Sequence, residues 1–297
     1  QQLINGISLG MIYGLIAVGY TMVYGIIGMI NFAHGDVFMI GAFIALITVL
    51  LLQLGGMMDG PAAILLVLLV SMAFTALYGW SVERVAYRPL RGSFRLAPLI
   101  SAIGMSFVLL NVGLIILGPS QRAVQPVMPK ETLLSIGTDR LVGTEHVIVA
   151  AVTIPLLLLL RWFVSSTRQG KAMRATAQDR EAAGLMGIDV NRTISLTFLI
   201  AGALAGAAGL VVALYYGQTN FNFGFQFGLL SFTAAVIGGI GNLTGATFGG
   251  IVIGLILALS DRFLEAKWTS VIVFSILILV LIFRPTGLLA EKTSERA

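Results

Sequence analysis

Apolar stretches recur along this chain, most of them close to 20 residues long, and no fixed cation appears before Arg84. They occupy residues 5–28, 36–54, 61–83, 96–117, 145–164, 194–216, 228–240, 245–260 and 268–284. An α-helix needs about 20 apolar residues to cross about 30 Å of hydrocarbon. All but 228–240 approach or reach that length, which predicts about eight crossings with one or two broken or re-entrant segments. Of 297 residues, 58% are hydrophobic and 10% charged, against about 25% charged in a soluble domain. That balance excludes a soluble globule, a disordered chain and a nucleic-acid binder. The absence of cysteine excludes a disulfide scaffold. The reading is an all-α, polytopic integral membrane protein forming a single transmembrane domain over 1–297. No basic region of a signal peptide precedes the first run, and the start at Gln1 rather than Met suggests a trimmed N-terminus.

Cations orient the spans, because Lys and Arg gather in cytoplasmic loops. Arg84, Arg88, Arg91 and Arg95 form one cluster. Arg161, Arg168, Lys171, Arg174, Arg180 and Arg192 form a second, and Arg284, Lys292 and Arg296 a third. Arg122, Lys130, Arg140, Arg262 and Lys267 lie between them, near acids. Two spans separate the first and second clusters. This parity places 118–144 and the N-terminus outside, and the C-terminus inside.

Two apolar helices are interrupted in a similar way. Gly25-Ile-Ile-Gly28-Met-Ile-Asn31-Phe-Ala-His34-Gly35 lies near the start, and Val236-Ile-Gly238-Gly239-Ile-Gly241-Asn242-Leu-Thr-Gly245 near the end. Broken hydrophobic segments at matching positions in two halves point to a transport pathway. Glycines in such segments also let helices pack closely. Asn31, His34, Gly35, Asp36, Gly239, Gly241, Asn242 and Gly245 are therefore candidate pathway or helix-break residues. Asp36 and His34 read first as groups stabilising the turn at a helix start, and second as a ligand contact or proton relay. Asn31 and Asn242 read as partners for backbone groups freed at the breaks. Phe221, Phe223, Phe225 and Phe227 read as an interfacial aromatic belt in the outer loop after residue 216, or as a surface for a docked partner.

The longest cytoplasmic stretch, 165–192, contains no proline and is rich in alanine. A helix is expected over 171–186, with Gly187 past its end in a left-handed conformation. It carries Ala175, Ala182, Ala183, Leu185 and Met186 on an apolar side, fit for lipid headgroups or a groove on a partner. No Gly-x4-Gly-Lys-Ser/Thr phosphate loop exists: the Gly170-Lys171 pair follows Ser165 and precedes Ala172. Any ATP hydrolysis must occur in another chain, and no cofactor is expected in this one. No metal constellation is visible, since His34 and His146 lie far apart. No Gly-x-Ser-x-Gly elbow is present, so a hydrolase reading lacks support.

Glu181-Ala182-Ala183-x3-Gly187 resembles the opening of the EAA motif of ABC-importer permeases; beyond it, Thr197 and Ile200 stand where Ile and Pro are expected. Four further strings resemble the branched-chain amino acid permeases, specifically the H-type subunit of leucine/isoleucine/valine importers. They are Asn31-Phe-Ala-His-Gly-Asp36, Glu83-Arg-Val-Ala-Tyr-Arg-Pro-Leu-Arg91, Leu99-Ile-Ser-Ala-Ile-Gly-Met-Ser106 and Arg284-Pro-Thr-Gly-Leu288. The resemblance implies a bacterial inner-membrane protein and a heterodimer with a second, paralogous permease. It also implies two cytoplasmic ATPase subunits and a periplasmic protein that binds the amino acid. Under it, residues 171–187 are the coupling helix, with Glu181, Ala182, Ala183 and Gly187 meeting the ATPase. The competing reading is a proton-coupled secondary transporter using Asp36 and His34. Amides, urea and short peptides stay open as substrates.

Overall fold

The computed structural model describes residues 1–57, 60–94, 96–127, 131–136, 139–264 and 266–289. Arg95, Lys130, Lys292 and Arg296 of the cation argument lie outside them. Among the described residues, seven helices are long and apolar enough to span a membrane: Gln2–Ile27 (α1), His34–Leu54 (α2), Pro61–Val82 (α3, continued by wider and tighter turns to Leu90), Leu96–Leu117 (α4), Thr144–Ser166 (α5), Val190–Tyr216 (α8) and Leu243–Phe263 (α10). The 18-residue α11, Ala266–Phe283, is an eighth apolar helix. Phe223–Gly238 (α9) has 16 residues, or about 24 Å at 1.5 Å per residue. It falls short of a full crossing, as expected of the 228–240 stretch.

The core is built by α1, α2, α8, α9 and α10, while α3, α4, α5 and α11 leave large apolar side chains exposed. In a bilayer that outer surface needs no water-compatible coat. Along α1 and α10 the close approach is made by glycines. A Cβ on Gly14 would sit 3.3 Å from the Thr247 carbonyl oxygen, and one on Gly10 would sit 2.6 Å from the Ile251 Cα. The spacing Gly6-x3-Gly10-x3-Gly14 opposite Gly250-x3-Gly254 is the small-residue pattern by which membrane helices come together. Ser71 on α3 donates to the Gly41 and Gly206 carbonyls at 3.0 and 2.9 Å, tying α3 to both α2 and α8. Each such bond satisfies a hydroxyl that hydrocarbon cannot.

Arg122–Ala123 (β1) pairs antiparallel with Gln218–Thr219 (β4), and Thr132–Ile136 (β2) with Asp139–Gly143 (β3). Both ladders lie at the end of the bundle where His146 Nε2 meets Asn5 Oδ1 at 2.9 Å. The opposite end gathers the break 28–33, the turns 83–91, the helices between α5 and α8, the turn 239–242 and the segment 284–289. Arg84, Arg88, Arg91, Arg168, Lys171, Arg174, Arg180, Arg192 and Arg284 all belong to this second end.

Two expectations are corrected here. Residues 171–187 are not one helix: Arg168–Gln178 (α6) and Arg180–Leu185 (α7) are separated at Asp179, whose backbone is extended at φ −157°. Asp179 Oδ1 accepts from the Glu181 and Ala182 amides at 2.9 and 3.0 Å. An aspartate is worth more as a helix N-cap than inside a helix, and here the cap overrides the alanine-rich propensity. The four phenylalanines, in turn, are not an outer aromatic belt. Phe223 opens α9, and Phe223 and Phe227, four residues apart, are buried and meet the half-exposed Tyr216 ring edge-on. Tyr13 stacks on Phe227, and Phe38 meets it at a tilt of 42°. Phe225 alone turns outward. An alternation of period two thus becomes, on a helix, one pair on the same face.

Candidate functional site

At the Arg-rich end the chain is guided by three N-caps in series. Thr167 Oγ1 accepts from the Gly170 amide at 3.0 Å, Asp179 caps α7 as above, and Asp189 Oδ1 accepts from the Arg192 amide at 3.0 Å. Each cap satisfies donors that a helix start leaves open. Together they fix the direction of α6, α7 and α8. Gly187 closes α7 at φ +83°, and the Ile188 amide reaches back to the Ala183 carbonyl at 3.0 Å. That left-handed position was expected, and the returning bond is the usual helix-ending pattern.

The four motif residues do not share one surface. Glu181 and Ala182 are exposed, and Gly187 lies on the exposed turn. Ala183 is only 4% exposed and packs inward, so it does not present itself to a partner. The large side chains that do face outward are Leu185 and Met186, 86% and 84% exposed. These two adjacent apolar side chains stand out among the charged residues of this end. The sequence placed them on the apolar side together with Ala183, but Leu185 lies two residues on, about 200° around α7, and Met186 is its C-cap, so both face outward while Ala183 packs inward.

Beneath α7 sits a polar network that sequence reasoning missed. Arg180 Nε and Nη2 donate to the Ile26 carbonyl at 3.1 and 2.8 Å. In an uninterrupted helix that carbonyl would accept from residue 30, but α1 has ended. A guanidinium at a helix C-terminus also faces the negative end of the helix dipole. Next to it, Glu83 is fully buried and is paired with Arg91, while Ser195 Oγ donates to its Oε2 at 2.7 Å. Arg91 also donates to Asn191 Oδ1. Burial holds both Arg91 and Arg180 below their ordinary pKa, opposed at Arg91 by Glu83. Glu83 opens a π-helical turn, Glu83–Tyr87, an irregularity common at functional positions. From that turn the Tyr87 hydroxyl donates to Asn31 Oδ1 at 3.1 Å and lies 3.4 Å from the Ile30 carbonyl.

The two helix breaks lie side by side: a Cβ on Gly25 would come within 3.7 Å of the Gly241 Cα. Asn242 caps α10 through the Thr244 and Gly245 amides at 2.9 and 3.1 Å, and its amide donates to the Leu289 carbonyl at 2.6 Å. The expectation that both asparagines hold loosened backbone is met at Asn242, and Asn31 holds the tyrosine instead. Gly239 and Gly241 carry positive φ, 110° and 99°, which makes the turn possible. Gly245 packs against Gly238, and Gly35 against Gly224 and Gly228.

His34 and Asp36 stand inside the bundle rather than on its surface. A Cβ on Gly19 would lie 2.7 Å from His34 Cε1. Gly19 is eight residues short of the end of α1, about 12 Å along its axis. The His34 ring meets the Tyr20 ring edge-on at 4.7 Å between centroids. Asp36, 2% exposed, lies in the first turn of α2 and beside Gly224, in the first turn of α9. Two helix N-termini thus meet at one carboxylate, an arrangement their dipoles favour. Ser106 donates to Asp36 Oδ2. Neither Asp36 Oδ1 nor His34 Nε2 has a hydrogen-bond partner among the described residues. No side-chain hydrogen bond caps α2, so the capping reading of these two residues survives only as charge at a helix start.

The family profile of the permease component of branched-chain amino acid transport systems matches residues 2–282. The chain belongs to that permease family. It is 43% identical to the high-affinity branched-chain amino acid transport system permease protein BraD of Pseudomonas aeruginosa, over all of this chain and 97% of that protein. It is 42% identical to the corresponding LivH protein of Escherichia coli K12 over the same shares. A fructose import permease protein, FrcC of Rhizobium meliloti, is 26% identical over 62% of this chain and 54% of that protein. The permease is therefore a multi-pass membrane transport subunit, not an enzyme, and one component of a larger system. This is the family that the strings around Asn31, Glu83, Leu99 and Arg284 resemble.

Proposed function

We propose that this permease imports branched-chain amino acids across the bacterial inner membrane as the membrane subunit of an ATP-driven importer. The single observation that carries this reading is the outward projection of Leu185 and Met186 from a rigidly capped α7, in a chain that has no phosphate loop of its own. Glu181, Ala182, Leu185, Met186 and Gly187 form the face offered to a cytoplasmic ATPase; Ala183 anchors that face from within. Two ATPases, a second and paralogous permease, and a periplasmic binding protein complete the system. ATP is bound by the ATPases and not by this chain. The Arg-rich end faces the cytoplasm together with the C-terminus, and the strand ladders face the periplasm.

The complete complex reconstituted in proteoliposomes is expected to take up leucine with ATP and the binding protein, and not on a proton gradient alone. Asp36→Asn keeps the shape and can still accept from Ser106, so ATP-driven uptake should stay within about twofold of wild type. Proton-driven uptake, abolished by Asp36→Asn, would instead establish the secondary transporter.

Orientation has its own test, because the chain lacks cysteine. Single cysteines at 165 and 135 are expected to label from inside and outside respectively with an impermeant maleimide. Labelling of position 165 in intact cells would reverse the assignment.

A further inference from the structure

We propose that Arg180 is a positioning residue that delivers movement of α7 to the break between α1 and α2, so that residues 26–31 receive the stroke of the ATPase. The inference rests on α7 being the ATPase-docking helix. Arg180 is adjacent to Glu181 in sequence but is turned the other way, with its guanidinium forked onto the Ile26 carbonyl at 3.1 and 2.8 Å. It is the first residue of α7, directly after the Asp179 cap, and so it moves with that short helix as one piece. Planar, two-point donation holds direction as well as distance, which a flexible ammonium does not.

A second, independent linkage ends at the same place. The helix that follows α7, α8, carries Asn191 and Ser195 in its first two turns, and both bind the Glu83–Arg91 pair. Glu83 begins the π-helical turn, and at the other end of that turn Tyr87 holds Asn31 and approaches the Ile30 carbonyl. Ser101 of α4 accepts its place in the same turn by donating to the Ala86 carbonyl at 3.0 Å. Displacement at either end of 180–195 therefore reaches residues 26–31, by Arg180 directly and by Glu83 through Tyr87. Residues 28–33 lead straight into His34, Gly35 and Asp36, where α2 starts against α9 without intervening side chains. A shift of this segment must move the junction of α2 and α9, where two helix N-termini meet the buried carboxylate of Asp36.

The test compares coupling with docking in the full complex. Arg180→Ala is expected to leave ATPase co-purification and basal ATP hydrolysis at wild-type levels, while leucine taken up per ATP falls about tenfold. Arg180→Lys, which keeps the charge and one donor, should recover part of that loss. Tyr87→Phe should lower the ratio less, and the pair Arg180→Ala/Tyr87→Phe should bring it to background. A structural readout accompanies these: a cysteine at Phe32, itself exposed, should change its rate of thiol labelling on ATP binding in the parent, but not in Arg180→Ala. An unchanged coupling ratio in Arg180→Ala with ATP-dependent labelling retained would overturn the proposal. Loss of ATPase co-purification in either Arg180 variant would also overturn it, by making Arg180 a docking residue. Failure of the underlying reading looks different, because ATPases would then fail to depend on Leu185 and Met186 while the Arg180 variants still changed labelling at position 32.

Discussion

Gly254→Ala should remove most of the folded permease from the membrane. A Cβ on Gly254 falls on the backbone of Gly6 and Gly10, and one on Gly250 falls on the backbone of Gly14. Overpacking a core against side chains costs about 1–3 kcal/mol, because rotamers can yield. Backbone atoms have no rotamer to yield, so two whole helices must separate and lose the contacts around them. The expected cost is at or above about 3 kcal/mol, a large part of a typical stability of about 5–15 kcal/mol. Gly104→Ala on α4 is the matched control, since nothing in the described residues lies within 4 Å of its Cβ. Monodisperse protein recovered after detergent extraction, and its thermal midpoint, measure both. A Gly254→Ala variant with the parent's midpoint would mean that α1 and α10 do not depend on this contact.

The same glycines show what could be read from sequence. Spans are legible because hydrocarbon admits only long apolar helices, and the described members of the cation clusters gather at one end of the bundle, as their spacing along the chain predicts. The two breaks were legible as well, since Gly28, Gly239 and Gly241 interrupt runs that otherwise never stop. What could not be read was how far inside α2 begins: that depends on Gly19 accepting the His34 ring, a contact between separate helices. The phenylalanines misled because period-two spacing says nothing about where a helix starts. Asp179 was not read as a cap, because alanine on both sides favours a continuous helix; its extended backbone in the structure decided otherwise. Arg180 and Ile26 lie 154 residues apart, and no local rule joins them. An orphan carbonyl at the end of a broken helix is, however, a general signal. It must find a donor, and a basic residue on a neighbouring short helix is the first place to look.

Replacing Leu185 and Met186 together by Asp should abolish ATP-driven uptake while leaving the permease folded. At 86% and 84% exposure these side chains support little of their own chain, and surface changes usually stay within about 0.5 kcal/mol. In the assembled importer the balance reverses. Burying a Leu or Met side chain contributes about 1.5–3 kcal/mol, so the pair contributes about 3–6 kcal/mol to association. Even the lower figure corresponds to more than 100-fold in dissociation constant, before any penalty for burying two carboxylates. Ala183→Trp makes the informative contrast. Its side chain points into the permease, so its damage should appear as lost thermal stability rather than as a clean loss of docking. Pull-down of the ATPases, thermal midpoints in detergent and leucine uptake in proteoliposomes separate the two variants. ATPases retained at parental levels by the double Asp variant would remove Leu185 and Met186 from the interface and leave α7 a solvated turn.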